Sequence, residues 1–181
     1  LVSVNRVGDG VQRFVLDPGL MSQNLQTTWD QTGKFTMEEL VLFRECGSPT
    51  PGHPEVDIMH GIENPSGPLG QGHTFAVGAA IAAKFLKARL GHVMDQTIYA
   101  YISDGGIQEE ISQGAGRLAG HLGLDNLIMF YDSNDIQLST ATDAVTSEDV
   151  AKKYEAWHWK VITIDGNDPD AIRTALTEAK A

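Results

Sequence analysis

Three short apolar runs constrain this chain more than any other feature. They are Thr97–Ser103 (TIYAYIS), Leu127–Ser133 (LIMFYDS) and Trp159–Asp165 (WKVITID). Each is rich in β-branched and aromatic residues and reads as a buried strand. Helical patterns separate and follow them: about Ile107 to Leu122, then Ser147–Trp157, then DPDAIRTALTEAK with Asp168 as cap and Pro169 at the first helical position. Strand and helix in strict alternation predict an α/β domain, a parallel sheet flanked by helices. Such sheets bind ligands at the carboxyl ends of their strands, so the chemistry is to be sought just after Ser103 and Ser133.

Upstream, Gln71–Gly91 reads as a long helix. Its small residues Gly78, Ala79, Ala82 and Ala83 would lie close against a neighbour, with Phe75, Ile81 and Phe85 for bulk and Gly91 as a stop. Phe35–Cys46 reads as a short helix, with Thr36 and Glu39 in capping-box spacing. Two Pro/Gly-rich stretches, Cys46–Glu55 and Gly61–Gly72, read as loops. The 181 residues are expected to form a single domain, 1–181, in which 1–33 fits least well, and the first dozen residues read as a chain entered partway through.

Composition excludes some partners. With 13 basic and 24 acidic side chains the net charge is −11, which repels nucleic acid and anionic membrane surfaces. The longest apolar run falls short of a membrane span, and the start lacks the pattern of a signal peptide. A lone cysteine, Cys46, precludes an intrachain disulfide and points to a reducing, cytoplasmic setting.

The two strand ends carry matching polar groups. Asp104 follows the first run, with Gly105 and Gly106 behind it, and Asn134 follows the second, thirty residues on. A carboxylate and a carboxamide side by side are hard oxygen donors suited to Mg²⁺ or Ca²⁺. The glycines would open backbone N–H groups toward a phosphate. From the residues alone, the segment is either an ordinary Asp-Gly turn or a metal-bridged diphosphate site.

Further motifs select between these. Ser103-Asp104-Gly105 followed by Asn134 resembles the diphosphate-binding signature of thiamine diphosphate enzymes, with Ser in place of the first Gly. TPGHPE (Thr50–Glu55) and GPLGQG (Gly67–Gly72) resemble transketolases, and so does EDVAKKYEAW followed by WKVI. The likeness runs from about Arg13 to the C-terminus and corresponds to most of the diphosphate-binding domain of that family. It implies that Asp104, Asn134 and the backbone carbonyl of Ile136 hold Mg²⁺, that Asn134 also contacts the diphosphate, and that Gly105 gives it an N–H. It implies that Gly67, Pro68 and Leu69 lie against the bent cofactor, the Gly67 carbonyl on the aminopyrimidine and Leu69 between the rings. His53 would touch the donor sugar, and Glu109 would sit near a dimer axis and couple two sites.

The sequence also departs from the family. A histidine that binds the diphosphate there is Leu20 here, and a glutamate ten residues after the metal aspartate is Gly114. The early SGHPG segment and the pyrimidine-binding domain, with its activating glutamate, are absent from the sequence. The resemblance therefore implies a ketol transferase of the pentose phosphate pathway acting on sugar phosphates, with this chain as a fragment or split subunit. It would supply the diphosphate and metal half of the site, homo-oligomerise, and be inactive without a pyrimidine-binding domain or subunit. The rival readings are deoxyxylulose-phosphate synthase, a two-subunit dehydrogenase component, and a non-catalytic binding module of the same fold.

Overall fold

The computed structural model describes residues 2–7, 10–17, 35–60, 62 and 64–181. Its sheet has four strands in the order β1 (Val2–Val7), β2 (Gly10–Leu16), β3 (Ile98–Ser103) and β4 (Leu127–Asp132). β2, β3 and β4 run parallel, and β1 pairs antiparallel to β2 at the edge. The helices are α1 (Met37–Val41), α2 (Gln71–Leu90), α3 (Asp104–Gln108), α4 (Glu110–His121), α5 (Val150–Ala156) and α6 (Pro169–Ala179). The expected parallel sheet flanked by helices is therefore the observed architecture. Among the described residues no helix is long and apolar enough to cross a membrane.

Local chemistry explains the helix ends. Thr36 Oγ1 accepts from Glu39 N–H while the Glu39 carboxylate accepts from Thr36 N–H, so the capping box opening α1 is formed. Asp168 accepts from Asp170 and Ala171 N–H, with Pro169 at the first position of α6. Gly91 closes α2 at φ 72°, a left-handed value that costs glycine little.

The core forms where α2 and α4 lie on one face of β3 and β4. Val15, Ala76, Val77, Ala80, Ile98, Ala100, Ala115, Ala119 and Leu127 are buried together. Small residues on both helices let the backbones approach closely. The buried face of α2 is Gly72, His73, Ala76, Val77, Ala80 and Ala83, so the expected Gly/Ala stripe is rotated. Gly78 and Ala82 point outward, as do Phe75, Ile81 and Phe85.

Two expectations are corrected. The run Trp159–Asp165 forms no ladder with β4. Its Trp159 indole N–H donates to the Gly116 carbonyl at 2.8 Å, and Trp159 and Val161 pack beside Ile102, Ile107 and Tyr154. Side-chain anchoring thus half-buries Trp159 and Val161, while Thr163, Ile164 and Asp165 are exposed, so the burial that the pattern announced is only partly reached. The helix expected from Ile107 starts at Asp104 and breaks at Glu109, whose backbone is extended (φ −64°, ψ 133°). Gly70, at the start of α2, sits in that notch. A Cβ added to it would lie 2.6 Å from Ile111 and 3.0 Å from Glu109.

Candidate functional site

Asp104 is the first residue of α3, directly after β3, and is 3% exposed. Both of its carboxylate oxygens are held. The Tyr131 hydroxyl donates to Oδ1 at 2.5 Å, and the Asn134 backbone N–H donates to Oδ2 at 3.0 Å. The parallel pairing of Ile102 with Tyr131 explains the first contact. Asp104 follows Ile102 by two residues, so its side chain continues on the face that Tyr131 shares. Burial, together with the hydrogen bond to Asp104, pushes the Tyr131 hydroxyl well above the ordinary phenol range, so it stays a donor.

The loop after β4 is folded on itself. Asn134 Oδ1 accepts from Ile136 N–H at 3.1 Å, and Asn134 Nδ2 donates to Asp132 at 3.2 Å. Gln108 Nε2 donates both to the Asp104 carbonyl and to Gln137 Oε1, each at 2.9 Å, which ties α3 to this loop. Behind Asp104, Gly106 N–H donates to Ser103 Oγ at 3.2 Å. That N–H is therefore engaged, contrary to the expectation that it faces a phosphate. Gly105, second in the helix, has no acceptor within α3 for its own N–H.

The motif loops converge on this point. A Cβ added at Gly105 would lie 3.2 Å from Leu69 Cδ1, so the GPL loop rests on the Asp-Gly-Gly turn. A Cβ at Gly67 would lie 3.1 Å from His53 Cδ2, which brings the GHPE loop alongside. His53, Pro68 and Leu69 are exposed. No described contact ties His53 or Pro68 to Asp104. Ile136 is 70% exposed in the loop after β4. Glu109 is exposed at the break between α3 and α4, and Gly114 is exposed on α4 with open space before it. Leu20 lies outside the described residues.

The sequence reading missed two residues. Asp17, at the carboxyl end of β2, is 1% exposed and accepts from Gly70 N–H at 3.0 Å and His73 N–H at 3.3 Å. It caps α2, whose own N-cap Gly70 has no side chain. Burial raises its carboxyl above the ordinary value, and the hydrogen bonds from Gly70, His73 and Gly72 oppose that rise. The signal is the Asp-Pro-Gly sequence after an apolar run. Tyr131 was hidden inside a strand that read simply as core. His73 is also buried, with an imidazole pushed down to about 4 by burial.

The donor set fits a hard cation. Asp104 offers a carboxylate, Asn134 a carboxamide oxygen and Ile136 a carbonyl. Among the described residues no basic side chain forms an ion pair with Asp104. Nor do three His, Cys, Asp or Glu converge there, as a site with only one carboxylate ligand would not require.

Residues 9–181 match the family model described as transketolase, thiamine diphosphate binding domain. The chain belongs to this family. Transketolase 2 of Escherichia coli is 43% identical over 175 residues, covering 93% of this chain and 26% of that protein. A crystal structure of transketolase from Campylobacter jejuni superposes with TM-score 0.86 at 37% identity, over 99% of this chain and 29% of that one. A Pichia stipitis transketolase in complex with sedoheptulose-7-phosphate gives TM-score 0.83 at 35% identity, over 95% of this chain and 26% of that one. The chain thus spans about a quarter of the length of the transketolases it matches.

Proposed function

We propose that this chain supplies the diphosphate- and metal-binding half of a transketolase active site. The observation that carries the reading is the meeting of Leu69 with Gly105, which joins the GPL loop to the turn bearing Asp104. Asp104, Asn134 and the Ile136 carbonyl would hold Mg²⁺, with Ca²⁺ as a substitute, and the Gly105 N–H would bind the diphosphate. Gly67, Pro68 and Leu69 would orient the cofactor rings. Thiamine diphosphate, when bound, supplies the electron sink for cleaving and forming a carbon–carbon bond.

The chain's own residues then have limited tasks. His53, exposed beside Gly67, would hydrogen-bond the ketose and orient its carbonyl. Asp104, held between two donors, would offer its remaining lone pairs to the cation. Glu109, at the helix break, would communicate with a second copy. The reaction is transfer of a two-carbon ketol unit from a ketose phosphate to an aldose phosphate, as in the pentose phosphate pathway. We place it in the cytoplasm, in a homo-oligomer, with a pyrimidine-binding domain or subunit as the required partner.

Calorimetric titration tests this. Thiamine diphosphate should bind only when Mg²⁺ is present, and Asp104→Asn should abolish the binding. Ketol transfer should be absent from the chain alone and restored by a complementing pyrimidine-binding domain. Metal-independent binding, or brisk turnover by the chain alone, would overturn the reading.

A further inference from the structure

We propose that Tyr131 is a positioning residue for the metal: its hydroxyl pins the Asp104 carboxylate in the one orientation that an Mg²⁺ ion accepts. The inference rests on the reading of Asp104 as a metal ligand. Two donors reach this carboxylate, one on each oxygen, and they come from different parts of the chain. Asn134 N–H holds Oδ2 from the loop, and Tyr131 holds Oδ1 from inside β4. With both in place the carboxylate plane is fixed. With Oδ2 alone held, the group can pivot about that oxygen.

Tyr131 is well placed to act as the fixed end. Its residue pairs with Ile102 of β3 near the carboxyl end of β4, the outer strand of the described sheet, and its ring packs against the Ile102, Ile107 and Tyr154 cluster. The Asn134 donor belongs instead to an exposed loop, tied to α3 through Gln137 and Gln108 and otherwise held by its own short-range hydrogen bonds. The sheet thus provides a rigid reference for the carboxylate and the loop a more adaptable one. Outer partners of metal ligands commonly govern affinity in this way.

The consequence is a difference between two ions. Mg²⁺ demands near-ideal octahedral geometry, whereas Ca²⁺ accepts six to eight oxygens in flexible arrangements. A loosened carboxylate should therefore penalise Mg²⁺ more than Ca²⁺. The chain, at a fixed concentration of thiamine diphosphate, is titrated calorimetrically with MgCl₂ and separately with CaCl₂. Tyr131→Phe should weaken Mg²⁺ binding roughly ten-fold. It should weaken Ca²⁺ by no more than about two-fold. A role confined to packing would weaken both ions alike or neither, and either result overturns the proposal.

If Tyr131→Phe does not fold, 4-aminophenylalanine at position 131 keeps a ring donor. It should give a smaller Mg²⁺ loss with Ca²⁺ unchanged, and equal changes for the two ions count against the proposal. Asp104→Asn separates the two levels of inference. If it binds Mg²⁺ as the unaltered chain does, the metal reading fails and the role of Tyr131 falls with it. If it abolishes Mg²⁺ binding while Tyr131→Phe leaves both ions unaffected, only the role of Tyr131 fails.

Discussion

Asp17 and Asp104 stand at the carboxyl ends of neighbouring parallel strands, β2 and β3, and both are buried. They are put to opposite uses. Asp17 turns inward and spends its oxygens on the amides that open a 20-residue helix. Asp104 is gripped by one hydroxyl and one amide and forms no ion pair among the described residues. The difference teaches that a carboxylate at a strand end is not by itself a site. What separates the two is their donors: the amides of one helix start for Asp17, a strand hydroxyl and a loop amide for Asp104.

Four measurements can break or sharpen this comparison. The largest effect is expected from Asp17→Ala, which leaves the Gly70 and His73 amides buried without an acceptor. It should cost about 4 kcal/mol in urea denaturation. A loss under about 1 kcal/mol would mean that the cap is dispensable.

Next comes the acid response of His73, the residue whose amide Asp17 holds. Burial lowers its imidazole from 6.5 to about 4, so between those values the unfolded chain binds more protons than the folded one. Its contribution to stability is complete above pH 6.5 and is lost as the pH falls toward about 4. The loss amounts to about 3 kcal/mol. Asp17 slopes the other way, because its carboxyl is raised by burial: its contribution is present below 3.8 and lost as the pH rises through the folded value. His73→Leu should remove the acid loss between pH 6.5 and 4, and an unchanged pH profile would refute this assignment.

Gly106→Ala probes the wall between the two carboxylates. The new Cβ would lie 2.3 Å from Asp17 Oδ2 and 2.9 Å from Ile102, so a cost of about 2 kcal/mol is expected. A neutral result would show that Asp17 can yield. The smallest change in stability should come from Asp104→Asn. The amide can still accept from Asn134 N–H and donate to the Tyr131 hydroxyl, so without metal it should cost about 1 kcal/mol. Mg²⁺-dependent thermal stabilisation, in contrast, should vanish. A large intrinsic loss would place Asp104 with Asp17 as a structural carboxylate.

Much of this arrangement was legible in the sequence. The strands β3 and β4, the course of α2, the caps at Thr36 and Asp168, and the juxtaposition of Asp104 with Asn134 all follow from local pattern. What escaped was set by contacts between distant segments. Trp159–Asp165 has strand composition, yet it is held at Trp159 by an indole hydrogen bond to α4 and not by a ladder, and its second half is exposed. The break at Glu109 depends on Gly70, a residue nearly forty positions earlier. The face that α2 buries was misjudged because small residues occur on more than one side of it. Asp17 and Tyr131 were passed over because each acts on a partner far away in sequence.

The crowding at Gly106 has a consequence for engineering. Because that glycine abuts Asp17 from the end of β2 while Asp104, two residues before it, leans on Tyr131 from β4, the Asp-Gly-Gly turn is not a portable cassette. Transplanting Ser103–Gly106 alone onto another parallel sheet would carry over Asp104 and leave behind the two strands that surround it. A successful graft must move three adjacent strand ends together, including the one that bears Asp17.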